Sequence, residues 1–337
     1  MKKTVIKGTG RYLPSRLVTN DDLAQWMDTS NEWILQRTGI EQRYWIPEAG
    51  GVGVSDLALE ASKTAMTRAG WQAHDIDLII FATLSPDLFF PGSGCLLAHK
   101  LGLSRTPALD IRQQCTGFLY GMTIADAYIR SSLAKRVLLV GAEVHSTGLD
   151  VSTNGRDVAV IFGDGAAAVC LEHVETDDKQ AGVLASSLHA DGSLAESLMT
   201  YAPASRENPR IDEKMLAEGK HFPTMDGKTI FKNAVRRLPE VAGEVLKTAG
   251  MPLEAVDLFI PHQANLRINQ AFANALDLPE SKVYNNIQRY GNTTAASIPL
   301  ALDEAIEKQI VGTGSTVMLI GLGAGVTWGA VLYRFAG

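Results

Sequence analysis

Asp75-Ile-Asp-Leu-Ile-Ile-Phe81 and Ala255-Val-Asp-Leu-Phe-Ile-Pro261 share one pattern, an aspartate followed by an unbroken apolar run. Each follows an amphipathic helical stretch ending in an Ala-Gly pair, Ala69-Gly70 in the first case and Ala249-Gly250 in the second. Gly70 and Gly250, Asp77 and Asp257, and Gly141 and Gly321 are each 180 residues apart. The last pair belongs to the matching runs Val137-Leu-Leu-Val-Gly-Ala142 and Val317-Met-Leu-Ile-Gly-Leu322. Chance readily supplies one such match but not three in register, so the chain reads as two copies of one αβ unit. Short runs of Val, Ile and Leu alternate with helical stretches, the pattern of a mostly buried sheet with helices packed on it. The expected class is α/β, with halves over residues 1–175 and 176–337 and no linker between them.

The 337 residues, 46% of them apolar, suffice for a large core. A net charge of −6 favours solubility and argues against a nucleic-acid or anionic-membrane partner. The start, Met1-Lys-Lys-Thr-Val-Ile-Lys-Gly8, lacks the apolar stretch of a secretory signal and reads as a first strand. No apolar run nears the roughly 20 residues that span a bilayer, so a cytoplasmic location is expected. Cys95, Cys115 and Cys170 are widely spaced without a Cys-x-x-Cys pair, which argues against a disulfide framework and against a metal site. The irregular stretch 191–228, with Pro203, Pro209 and Pro223, reads as an insertion near a site entrance.

Candidate chemistry starts at Asp110-Ile-Arg-Gln-Gln-Cys-Thr-Gly-Phe-Leu-Tyr-Gly121, where a strand-like run ends, a cysteine appears and a small-residue helix begins. A helix N-terminus there is expected to stabilise the Cys115 thiolate and lower its pKa. A lone cysteine at such a junction is ordinarily a small apolar filler, and two later segments change that reading. Ile260-Pro-His-Gln-Ala-Asn-Leu-Arg-Ile268 offers His262 after an apolar strand, and Tyr290-Gly-Asn-Thr-Thr-Ala-Ala-Ser297 offers Asn292 at the mouth of a second small-residue helix. Ala295 lies 180 residues after Cys115, so the Asn and Cys turns occupy matching places and can face one another across a pseudo-twofold axis. Cys, His and Asn in that order fit a papain-like peptidase or carbon–carbon bond formation on thioesters. The peptidase's local signature is missing around Cys115.

Further segments carry a resemblance: Trp33 with Arg37-Thr-Gly39, Ile161-Phe-Gly-Asp-Gly-Ala166, His189-Ala-Asp-Gly192, Pro261-His-Gln-Ala-Asn-Leu-Arg-Ile268, Gly291-Asn-Thr293 and Thr327-Trp-Gly329. Over its full length the chain resembles the β-ketoacyl-[acyl-carrier-protein] synthase III enzymes of the thiolase superfamily. The resemblance implies a five-layered αβαβα sandwich of two duplicated halves, normally a homodimer, with no permanently bound cofactor and with acyl-CoA and malonyl-acyl carrier protein as substrates. It implies that Cys115 takes the acyl group, while His262 and Asn292 stabilise the enolate formed on decarboxylation. The N–H groups of Cys115 and of the Gly325 turn would hold the oxyanion. Trp33, Arg37 and Arg156 would bind the adenine end of CoA, Lys232 and Asn265 would line its pantetheine tunnel, Val326 would bound the acyl pocket and Phe90 would close it across the dimer. Arg267, Arg236 and Arg237 would dock the acidic carrier protein.

The chain departs from the fatty-acid starter enzymes at Arg112-Gln-Gln, where those carry small residues, and at Val326, where many carry Phe. A rival reading is therefore a specialised condensing enzyme with a medium-chain or aryl donor and malonyl-CoA as acceptor. A degradative thiolase needs a second Cys near the C-terminus, and none follows Cys170. A non-catalytic acyl-binding partner subunit typically loses the nucleophile, which is retained here.

Overall fold

The computed structural model describes residues 2–176, 178 and 181–336. A five-stranded sheet is built from β1 (Lys2–Tyr12), β2 (Leu78–Ala82), β3 (Ala108–Ile111), β4 (Arg136–Glu143) and β5 (Gly165–Glu175), in the order β1-β5-β4-β2-β3. A four-stranded sheet contains β6 (Gly182–Ala190), β7 (Leu258–Pro261), β8 (Thr316–Gly323) and β9 (Thr327–Arg334), in the order β6-β9-β8-β7. The second order repeats the first strand for strand, and a single bridge from Phe259 to Val283 takes the place of the β2–β3 pairing. Main-chain detail repeats as well. The Asp77 carboxylate accepts from the N–H groups of Lys135 and Arg136, and that of Asp257 from Thr316.

The helices on these sheets include α1 (Val54–Ala69), α2 (Gly117–Arg130), α3 (Gly227–Ala249), α4 (Leu266–Ala275) and α5 (Ser297–Glu307). α1 packs outside the first sheet, α2 and α5 lie between the sheets and touch both, and α3 covers the far face of the second with α4 against it. The result is the five-layered sandwich. The strands are apolar on both faces because both are covered. Leu78, Ile80, Leu258 and Ile260 point into the central layer with Phe118, Met122, Ile298 and Leu302, while Ile79 and Phe81 face outward toward α1. Gly70 and Gly250 close α1 and α3 at φ of 70° and 65°, the left-handed conformation that glycine adopts without strain.

A short 3-10 turn leads into each central helix, Gln114–Thr116 before α2 and Thr294–Ala296 before α5. Gln114 and Thr294 both have positive φ, 44° and 49°. The pseudo-twofold therefore brings two matching bent turns to the middle of the molecule. Among the described residues no helix is long and apolar enough to cross a membrane.

Candidate active site

Cys115 sits in the first of those turns and is 6% exposed. Gly323, at the end of β8, stands against it so closely that a Cβ there would lie 2.6 Å from the cysteine Cβ and 3.1 Å from Sγ. The neighbouring hydroxyls of Thr116 and Thr327 bond across the two halves at 2.8 Å. Burial, with the Glu143 carboxylate second, pushes the thiol up to about 12, although the N–H groups of Ala324 and of Cys115 itself work against this. The helix N-terminus does not produce the lowered pKa expected from the sequence, because loss of water outweighs the favourable dipoles. At rest the residue is a thiol.

His262 follows β7, and its backbone N–H is held by the Ile320 carbonyl at 2.7 Å. Burial holds the imidazole down at about 3, so it is neutral. Nδ1 meets the Ser297 hydroxyl at 2.6 Å, and that hydroxyl accepts from the Gln263 N–H at 3.4 Å. We assign the hydroxyl as the donor to Nδ1, which places the imidazole proton on Nε2. Nε2 is buried and has no partner. Gln263 accounts for its place in the motif. Its amide donates to the carbonyls of Pro261 and Tyr284 and accepts from Asn286 and Ile287, pinning the loop behind the histidine.

Asn292 is held from both sides by Ile161-Phe-Gly163. Its N–H donates to the Ile161 carbonyl at 2.9 Å and its carbonyl accepts from Gly163 at 3.0 Å. Its side-chain Oδ1 accepts from the Thr294 N–H at 2.9 Å, which leaves Nδ2 for the cavity that it lines.

Two cavities meet at Cys115. One, of about 360 Å³, is bounded by His262, Asn292, Phe231, Lys228, Asn265 and Arg267. The other, of about 770 Å³, lies beyond the thiol among Leu84, Val144, His145, Gln114, Arg112 and Gly325. Cys115, Phe162 and Leu198 border both. The irregular stretch 191–228 supplies Ala195, Leu198, Met199, Thr200 and His221 to these walls, through a small hairpin of Leu198–Thr200 with Pro223–Met225.

Trp33, on the helix Asn31–Thr38, has the Arg37 guanidinium 4.2 Å and that of Arg156 5.2 Å from its ring centre. Asn265 caps α4 and donates to the Arg37 carbonyl at 2.8 Å, tying this cluster to the smaller cavity.

Other expected residues lie elsewhere. Lys232 is exposed and does not border the cavity; Lys228, one turn earlier on α3, does. Phe90 is 78% exposed and borders neither cavity of its own chain, as a residue expected to close the pocket of a second copy would be. Val326 is fully buried among Ile230, Leu238 and Phe259, packing the second half rather than facing substrate. Arg237 is not a surface docking residue. It is buried, bonded to Asp191 at 2.6 Å and stacked 3.9 Å from the Trp328 ring centre. Arg236 and Arg267 are exposed. The Ala324 N–H reaches the Cys115 sulfur, and Gly325, expected to hold the oxyanion, borders the larger cavity beside Cys115. Ser297 and Gly323 had no motif of their own, and only the 180-residue repeat, which pairs them with Gly117 and Glu143, singles them out.

Two duplicated sheets with helices between them, and a buried thiol at the end of one central helix, define a thiolase-like condensing fold. The family description 3-oxoacyl-[acyl-carrier-protein (ACP)] synthase III matches residues 109–192, and its C-terminal counterpart matches residues 246–335. The 3-oxoacyl-[acyl-carrier-protein] synthase III of Aquifex aeolicus VF5 is 43% identical over 98% of this chain and 100% of its own, with a TM-score of 0.88. The corresponding enzyme of Thermus thermophilus is 37% identical over 99% of each chain, with a TM-score of 0.90. The priming β-ketosynthase from the R1128 polyketide biosynthetic pathway is 29% identical over 99% of this chain and 96% of its own, with a TM-score of 0.89. The chain belongs to the 3-oxoacyl-[acyl-carrier-protein] synthase III family and is an acyltransferase of the condensing type.

Proposed function

We propose that Cys115, His262 and Asn292 carry out decarboxylative condensation of an acyl-CoA with malonyl-acyl carrier protein. The observation that carries this is the meeting of two cavities at the thiol, with the unpaired His262 Nε2 on the wall of one of them. Cys115 attacks the acyl-CoA carbonyl; the thioester bond to CoA breaks, and the thiol proton leaves on the CoA sulfur. The malonyl thioester then enters the smaller cavity. Nε2–H of His262 and Nδ2–H of Asn292 donate to its thioester oxygen, which takes up the charge as carbon dioxide departs. The enolate carbon attacks the acyl-Cys115 carbonyl, forming the carbon–carbon bond, and the released thiolate takes a proton from water. Donors suffice for this step, so an imidazole held neutral suits it.

Trp33, Arg37 and Arg156 are the proposed adenine and phosphate site, with Asn265 and Lys228 along the pantetheine arm. Arg267 and Arg236 are the proposed carrier-protein contacts. We place the enzyme in the cytoplasm as a homodimer without a resident cofactor, following the resemblance. The cavity beyond the thiol is the proposed acyl side.

Intact-protein mass spectrometry after incubation with acyl-CoAs from acetyl to dodecanoyl, benzoyl and anthraniloyl tests the reading. Wild type is expected to gain one acyl mass, Cys115→Ala none, and His262→Ala the same mass as wild type without condensation. Normal condensation by His262→Ala contradicts the assigned role.

A further inference from the structure

Glu143 ends β4 fully buried, and no step above uses it. Its carboxylate accepts from five donors: the Thr83 hydroxyl, the Leu84 N–H, the Ser85 N–H and hydroxyl, and, at 3.4 Å, the Ala295 N–H. The repeat makes this arrangement legible. Cys115 matches Ala295 and Gly323 matches Glu143, each pair 180 residues apart. In the working site the strand ends in glycine, which leaves room for the sulfur and keeps the Cys115 N–H available for a substrate oxygen. In the disused twin the nucleophile position is alanine, and the strand end supplies a carboxylate that takes the matching N–H. An internal anion thus fills the second copy of the site.

We propose that Glu143 is a positioning residue that clamps the turn carrying Asn292 and the loop Thr83–Ser85 around Cys115, and that its charge sets the pH dependence of Cys115 reactivity. Leu84 and Ser85 border the acyl-side cavity together with Cys115, and Thr294 follows closely on Asn292, so the five bonds reach both sides of the thiol. The titratable groups near Glu143 are few. Cys115 lies on the turn Gln114–Thr116, which packs against the turn Thr294–Ala296 whose Ala295 N–H Glu143 holds, His145 lies two residues further along the chain, and Asp164 adjoins its strand partner Gly165. The loop after β2 and the turn Thr294–Ala296 bring only hydroxyls and N–H groups. His145 is held neutral, down at about 3, by burial. Glu143 itself is pushed up to about 7 by burial despite its donors, and its negative charge raises the thiol. Below that pH the neutral glutamic acid leaves Cys115 the more acidic; above it, each thiolate must form beside an anion.

The test is the rate of Cys115 alkylation by iodoacetamide against pH, followed by peptide mass because the exposed Cys95 also reacts. In wild type the logarithm of the rate is expected to rise, flatten near pH 7 as Glu143 ionises, and rise again. In Glu143→Gln it is expected to rise with one slope and to exceed wild type about tenfold above the plateau, the effect of one pKa unit. A wild-type profile without a plateau overturns the proposal even if the variant does not fold, as do superimposable profiles of the two proteins. The inference rests on Cys115 being the nucleophile, yet alkylation needs no acyl donor. A plateau without acyl transfer would sink the reaction reading alone.

Discussion

Replacing Ser297 with Ala isolates the hydrogen bond to His262 Nδ1. The hydroxyl lies 2.6 Å from Nδ1 in a fully buried setting, and its loss leaves both Nδ1 and the Gln263 N–H unpaired. An unsatisfied buried polar group costs about 1–3 kcal/mol, part of it in stability and part in the alignment of Nε2. If the alignment bears most of it, condensation falls roughly 5- to 150-fold at about 1.4 kcal/mol per factor of ten. Acylation does not use His262 as a donor and is expected to stay within about twofold of wild type, well inside that tenfold scale. Rapid-quench acylation with acyl-CoA and release of labelled carbon dioxide from malonyl-carrier protein, measured on the same preparation, separate the two steps. Equal losses in both, or no loss in decarboxylation, refute the reasoning that Ser297 acts through the imidazole.

Gly323→Ala places a methyl where Cys115 Cβ and Sγ already are, and a displaced nucleophile is expected to lose ~100-fold or more in acylation while the fold, read by circular dichroism, persists. Arg237→Ala is expected to lower the melting temperature without changing the salt dependence of the KM for carrier protein, since the stack on Trp328 alone is worth roughly 1–2 kcal/mol. Arg236→Ala and Arg267→Ala are the variants expected to change that salt dependence. The buried His262 is held near 3 in the folded protein, so the unfolded chain binds its proton first. Its contribution to stability is complete above about pH 6.5 and is lost as the pH falls toward 3. Unfolding free energies of wild type and His262→Ala from urea titrations between pH 6 and 4 should diverge by about 1.4 kcal/mol per pH unit, and parallel curves contradict the assignment.

The duplication was legible because it repeats chemistry that main chain and solvent enforce locally. The left-handed glycine that ends a helix, the aspartate that captures the N–H at the start of a strand and the doubly buried apolar strand each need particular residue types at fixed spacing. The same holds for Cys115, His262 and Asn292, whose turns lie where the offset puts them. Lys232, Val326 and Arg237 were misassigned because helical phase and turn geometry, rather than residue type, decide whether a side chain faces a cavity or a core. Lys228 and Lys232 share a helix face one turn apart, and only the position of the cavity mouth chooses between them.

The sequence by itself determined the repeated αβ unit and the three polar groups of the candidate site, since these follow from local periodicity and from a register that survives along the chain. Only the tertiary structure decided the protonation of those groups and the use of the twin site. Burial raises the thiol and depresses the imidazole, and the Glu143 carboxylate reaches Ala295 across 152 residues of chain. Desolvation and through-space charge depend on what is packed nearby, and no spacing along one chain records that.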